Sequence, residues 1–183
     1  MDYLKFARQL GKSKKIKRTG WVREKVKNPE SVAEHCFRLI ALCMVLAKEL
    51  KVNQEKLVKM AIVHDLGETS IGDIVAERSG KIDFDLRKKK EEMEEKAIAQ
   101  IFESSMSKEE YVALFKERVE LKTEESKIFR QLDKLEMAIQ ALEYEEEQNA
   151  NLEEFFVDAD KNIAHPIIKT IMKQILESRK KEN

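Results

Sequence analysis

From Ile128 to Leu142 the apolar residues advance in steps of four, three, four and three: Ile128, Leu132, Leu135, Ile139 and Leu142. Only an α-helical backbone lines such a series along one face, so the stripe predicts a helix over about 124–147. Nothing elsewhere in the chain alternates in the manner of a strand. Breakers are scarce, with five Gly and two Pro in 183 residues, whereas Leu, Lys, Glu, Ala and Met, which enter helices at little cost, are prominent. The expectation is an all-α fold, organised as one domain over residues 1–183 and long enough to enclose its own core.

Local signals place further helices. Ser31-Val32-Ala33-Glu34 is a capping box directly after Asn28-Pro29, and the run from Val32 to Leu50 is too apolar for a surface helix, which makes it the expected central one. Asn53 caps the next, which carries Leu57, Val58, Met60, Ala61, Ile62 and Val63 before Gly67 is expected to stop it. Others are expected near 85–104, 108–121, 151–160 and 166–180, with a loop at Ser79-Gly80 and a break from Asn162 to Pro166. No internal repeat or low-complexity linker interrupts the pattern. The run Arg87 to Lys96 (RKKKEEMEEK) carries both charge signs at helical spacing and reads as a solvated helix face.

Composition then removes several classes of function. Lys+Arg number 35 and Asp+Glu number 35, so no global field draws the protein onto nucleic acid or an anionic membrane. The basic run Lys12, Lys14, Lys15, Lys17 and Arg18 lacks interleaved aromatics before Trp21 and reads as a solvated loop beside an anion pocket rather than an RNA surface. No stretch offers the roughly 18 uninterrupted apolar residues of a membrane span, and the N-terminus does not resemble a signal peptide. Cys36 and Cys43 fall on one side of one helix, too far apart to bridge to each other, and read as reduced core residues of a cytoplasmic protein.

The segment AIVHDLGETSIGD at 61–73 is the anomaly. It begins as buried helix, ends on His64 and Asp65, and then adds Glu68 and Asp73, although an unpaired buried charge is strongly unfavourable. Neighbouring side chains on a helix diverge by about 100°, so His64 and Asp65 converge on one point only where the helix ends. A cation bound there needs ligands from other helices. Of the three histidines, His35 lies in the first turn after the capping box, while His165, followed by Pro166, is remote. Asp133 is a carboxylate among apolar neighbours, with Phe129 and Met137 four residues to either side and Leu132 adjoining. Singly, His35 reads as bonded to backbone or water, and Asp133 as paired with Arg130 or Lys134. Their joint order, a His, then His-Asp, then a distant Asp, points to a shared metal ion.

That order resembles the H…HD…D signature of the HD-domain metal-dependent phosphohydrolases. More closely, KRTGWVREKVKNPESVAEH at 17–35, AIVHDLGETSIGDI at 61–74 and QLDKLEMAIQALEYE at 131–145, with weaker support from FFVDADKNIAHPII, are together similar to the HD-domain 5′-deoxynucleotidase family. The resemblance implies an all-helical HD fold and hydrolysis of deoxyribonucleoside 5′-monophosphates, often by a homodimer. It makes His35, His64, Asp65 and Asp133 the ligands of one divalent metal ion per subunit. Two imidazoles and two carboxylates without a thiolate suit Co, Mn, Mg, Fe or Zn. The family's acidic residues three and eight after the HD aspartate are Glu68 and Asp73, suited to taking a proton from the attacking water. Its phosphate-gripping arginine and sugar-packing tryptophan match Arg18 and Trp21, which Thr19-Gly20 separates here although they adjoin in some relatives. The alternatives are another HD phosphohydrolase, acting on nucleoside triphosphates or guanosine tetraphosphate, and a non-catalytic metal- or RNA-binding module. Two-metal members recruit extra histidines, of which only His165 remains.

Overall fold

The computed structural model describes residues 2–78 and 81–181, so the expected Ser79-Gly80 loop lies outside the described residues. In chain order the elements are α1 (Tyr3–Gly11), a 3-10 turn (Lys12–Lys14), α2 (Thr19–Arg23), α3 (Val32–Leu46), α4 (Gln54–Val63), α5 (Glu68–Ile71), β1 (Glu77–Arg78), β2 (Lys81–Ile82), α6 (Phe84–Ile101), α7 (Lys108–Glu120), α8 (Glu124–Gln148), α9 (Glu153–Asn162) and α10 (Pro166–Lys181). The two strands form a single antiparallel ladder, Glu77 opposite Ile82 and Arg78 opposite Lys81. The fold is otherwise all-α.

The expected caps are made. Ser31 Oγ accepts the Glu34 amide at 3.3 Å while Glu34 Oε2 accepts the Ser31 amide at 2.6 Å, and Asn53 Oδ1 accepts the Lys56 amide at 3.0 Å. Satisfying the unpaired amides at a helix start in this way is worth about 1 kcal/mol per cap. The ends differ more from expectation. α3 stops at Leu46, and the chain continues through turns to Lys51, whose φ of 57° lies in the left-handed region. Gly67 is not a helix stop of the left-handed kind, since its φ is −57°. It is glycine because a Cβ there would sit 2.9 Å from the Cα of Glu94 on α6. α1 and α2 were not legible as helices.

The larger core lies where α3, α4 and α8 meet, around Leu39, Cys43, Leu57, Met60, Leu132, Leu135 and Ala138, and continues to Phe156, Ile168 and Met172 on α9 and α10. Ile128, Leu132 and Leu135 of the stripe are buried, and Ile139 and Leu142 pack against the same cluster. A smaller cluster of Val63, Leu66, Ile98, Phe102 and Phe115 joins the end of α4 to α6 and α7. His64 and Asp65 fall between Val63 and Leu66, at the seam of the two clusters. Apolar packing on both sides thus fixes the end of α4, the point at which its charged residues turn inward. Cys36 is half-buried and Cys43 buried, both as free thiols. Among the described residues no helix is long and apolar enough to cross a membrane.

One surface reading is corrected. Within the run Arg87 to Lys96, the Lys90 side chain is only 17% exposed and that of Glu94 1%. The i, i+4 spacing puts both on the inward face of α6, where they meet the carboxylates that follow α4.

Candidate metal centre

Two helices bring His35, His64 and Asp65 to one point, and a third sets Asp133 beside His35. His35 comes from the first turn of α3, His64 from the C-terminal cap of α4 with Asp65 directly after it, and Asp133 from the middle of α8. The Nε2 atoms of His35 and His64 lie 3.2 Å apart. Asp65 Oδ2 is 3.0 Å from His64 Nε2 and 3.9 Å from His35 Nε2, and Asp133 Oδ1 is 3.2 Å from His35 Nε2. Ligands about 2.1 Å from a tetrahedral or octahedral ion are separated by about 3.0–3.4 Å, so most of these spacings are those of a coordination shell.

The remaining ring nitrogens show which atoms are free to coordinate. His64 Nδ1 donates to the Ala61 carbonyl at 2.8 Å. His35 Nδ1 meets Glu136 Oε2 at 2.5 Å, and Glu136 is itself held by Arg38 Nε at 3.0 Å. Arg38 Nη1 in turn donates to both Glu143 oxygens, at 2.7 and 2.8 Å. With both Nδ1 atoms turned to protein acceptors, the two Nε2 atoms are left facing each other, an arrangement that needs a positive charge, a proton or a metal ion, between them. Burial and Arg18 push the His35 imidazole down, yet Glu136 and Asp133 outweigh them and raise it to about 10. Burial would push the Asp65 and Asp133 carboxyls up, but His64 and Arg18 for Asp65, and His35 for Asp133, hold them below the usual carboxylate range. The site is built to hold positive charge, and its donor set fits a divalent ion.

A second group of acids adjoins the first through Asp65. Oxygens of Asp65, Glu68 and Glu94 lie within 4.8 Å of one another. Glu68 Oε1 accepts from Lys90 Nζ at 2.9 Å, while Oε2 is buried without a hydrogen-bond partner, as are both oxygens of Glu94. Lys90 Nζ is 3.6 Å from Glu94 and 3.9 Å from Asp73. Burial pushes Glu68 well above its ordinary value and Asp65 pushes the same way, with Lys90 opposing. Burial likewise raises Glu94.

The other sequence-predicted residues are nearby but differently used. Arg18 Nη1 binds Asp65 Oδ2 at 2.8 Å. Asp73 Oδ2 accepts the Thr19 amide at 2.7 Å, and the Asp73 carbonyl accepts the Thr19 hydroxyl at 2.7 Å, so Asp73 pins the start of α2 beside Arg18. Trp21 is 2% exposed, donates its indole N–H to Glu30 Oε1 at 2.8 Å and lies 4.2 Å from the Phe155 ring. It forms wall rather than an open platform. Asp133 is 27% exposed along its side chain and opens onto a cavity rather than into the core. That cavity, about 310 Å³, is lined by Arg18, Asp65, Asp73, Lys90, Glu94, Arg118 and Asp133, with Trp21, Val75, Phe129, Met137 and Phe155 as apolar wall.

Sequence reasoning missed Glu136, Lys90, Glu94 and Arg118. For Glu136 a signal existed, a carboxylate beside Leu135 on the buried stripe. The other three sit in charged helices where nothing in the spacing distinguishes an inward residue.

The HD domain family profile matches residues 10–176. The chain belongs to the HD domain family. Curated relatives include 5′-deoxynucleotidase HDDC2 of Danio rerio, 35% identical over 97% of this chain and 88% of the relative, and 5′-deoxynucleotidase HDDC2 of Dictyostelium discoideum, 34% identical over 98% of this chain and 99% of the relative. Among solved structures, a conserved hypothetical protein from Pyrococcus furiosus superposes with a TM-score of 0.71 at 34% identity, covering 97% of this chain and 99% of the other. As an HD domain protein the chain is a metal-dependent phosphohydrolase, and His35, His64 and Asp65 form a group that could hold a metal ion.

Proposed function

We propose that this HD domain protein is a 5′-deoxynucleotidase that converts deoxyribonucleoside 5′-monophosphates to deoxynucleosides and phosphate. The observation that carries the reading is the pair of facing Nε2 atoms of His35 and His64, 3.2 Å apart and buried behind Asp65 and Asp133, which with Arg18 line the adjoining cavity. The names of the relatives support the substrate class. A cavity of about 310 Å³ is at the small end of ligand pockets, which suits a nucleoside monophosphate better than a triphosphate or guanosine tetraphosphate.

His35, His64, Asp65 and Asp133 would hold one divalent ion per subunit, of Co, Mn, Mg, Fe or Zn. When bound, such an ion neutralises charge on the phosphoryl group and acidifies water. Arg18 grips a phosphoryl oxygen with its planar fork of donors and is kept in place by Asp65. Glu68, fully buried just behind the cavity lining and bonded through Oε1 to the lining residue Lys90, would receive the proton of the attacking water and return it to the 5′-oxygen as the P–O5′ bond breaks and the new P–O bond forms. Asp73 keeps α2, and with it Arg18, against the site. The Trp21–Phe155 wall gives the sugar and base an apolar surface.

Two further features belong to this reading. Phe37, Ala41, Met44 and Val45 form an outward apolar stripe on α3, with Phe37 76% and Val45 71% exposed. A second copy of this chain covers that face in the homodimer we propose. The free thiols of Cys36 and Cys43 suit a cytoplasmic setting.

Protein stripped of metal and assayed on dAMP, AMP, dATP, cyclic AMP and guanosine tetraphosphate, with and without added Co²⁺ or Mn²⁺, tests the function. Phosphate release from dAMP on metal addition is expected. Equal activity without metal, or release from dATP but not dAMP, overturns it.

A further inference from the structure

Arg118 of α7 reaches the same cavity as Arg18. Its Nη2 lies 3.5 Å from Asp65 Oδ1, while Arg18 Nη1 lies 2.8 Å from Asp65 Oδ2. The carboxylate therefore carries a guanidinium on each oxygen, but the two contacts are unequal. The contact to Arg18 is a full charge-assisted hydrogen bond, whereas 3.5 Å is beyond the ordinary range for one. Glu94 does not take up the Arg118 donors either, since both of its oxygens lack a hydrogen-bond partner. Among the described residues the Arg118 guanidinium makes no hydrogen bond, although Glu94 and, less strongly, Asp65 attract its charge.

A guanidinium offers five N–H donors in a rigid plane. The Arg118 side chain is 22% exposed, and its guanidinium lies over the Phe115 ring, 5.5 Å from the centroid, so that the plane is supported from the protein side. A cation that is mostly desolvated, held from one side, and left with its donors unspent at a cavity mouth has the properties of an anion receptor. The anion that would reach it is the one drawn to the neighbouring metal centre. We propose that Arg118 binds a phosphoryl oxygen of the substrate and forms, with Arg18, a two-arginine clamp across Asp65. The proposal rests on the phosphomonoester reading above and adds a specific phosphate ligand to it. The rival role, a simple counter-ion for Asp65, predicts that loss of Arg118 weakens metal retention instead of phosphate binding.

The experiment uses the full chain loaded with Mn²⁺, as wild type, Arg118→Met and Arg118→Lys. Binding of inorganic phosphate is measured by calorimetry, metal content by elemental analysis, and kcat and KM with dAMP. Loss of a charge-assisted phosphate contact is expected to weaken phosphate binding by about 10- to 100-fold in Arg118→Met, with metal content unchanged and a matching fall in kcat/KM. Arg118→Lys, which keeps the charge but loses the fork, is expected to recover part of the affinity and carries the test alone if the Met variant does not fold. Phosphate affinity within about twofold of wild type in the folded variants, a loss of phosphate binding matched by loss of metal, or no phosphate binding by the wild type each overturns the clamp. Absence of dAMP hydrolysis in a wild type that binds phosphate counts against the 5′-deoxynucleotidase reading, while the phosphate shift in Arg118→Met still decides for or against Arg118.

Discussion

The two ends of the site are built from similar residues and finished in opposite ways. At the histidine end the outer ring nitrogens are tied down, His64 by the Ala61 carbonyl and His35 by Glu136, and Glu136 is braced by Arg38. At the α6 end, Glu68 and Glu94 are just as buried, yet three of their four oxygens have no hydrogen-bond partner, and one lysine serves both. The first arrangement fixes direction, as ligands must be fixed for a small cation. The second leaves a carboxylate oxygen unengaged and its proton affinity raised, as suits a group that must gain and lose a proton. On the proposed reading, rigidity and reactivity fall to adjacent sets of acids that share Asp65.

Variants can break that contrast. His64→Ala removes a proposed ligand from the rigid end, and phosphate release is expected to fall by roughly 10³-fold or more together with the metal content. If activity fell while the bound metal remained, the division of labour would be wrong. Glu68→Gln should show the opposite pattern, a loss of about 10²- to 10⁴-fold in kcat with elemental analysis still finding the ion. Glu136→Gln tests the brace rather than the ligand, and a 10- to 100-fold weaker metal affinity is the expected order of effect, measured by competition with a chelating dye.

Cys43 gives a control from the core, remote from proton transfer. Burial, with a smaller push from Asp133, raises its thiol to about 12. An acid raised on folding is neutral in both states below the unfolded value of about 8.5, so its contribution is fully present there. Above that pH the unfolded chain ionises while the folded chain does not, and stability falls until the pH reaches the folded value. Urea unfolding at pH 7 and pH 9.5 should therefore show the Cys43→Ala variant losing about 1.4 kcal/mol less than wild type over the interval. The same slope in both proteins would mean that Cys43 is not shielded as the fold implies.

What could be read in advance follows from which signals are local. The α8 stripe and the Ser31 box are complete within one helix, and both appear where they were expected. His35, His64, Asp65 and Asp133 could be brought together on paper because each was chemically out of place in its own helix. α2 escaped because five residues are too few to display a period. Lys90 and Glu94 escaped for a different reason, since a helix of alternating charges gives no sign of which face another helix will cover. Trp21 and Asp73 were seen as residues but not as contacts: the Glu30 carboxylate and the Thr19 amide that occupy them come from elsewhere in the fold.

The close approach of Gly67 to Glu94 has a consequence of its own. Where that backbone crosses α6, no spare space exists for even one methyl group. The separation of α6 from the end of α4 is therefore gauged by a hydrogen atom: any larger substituent would act as a wedge, prising α6 and its acids away from the histidines. The smallest side chain in the protein sets how near the acids of α6 stand to those that follow α4.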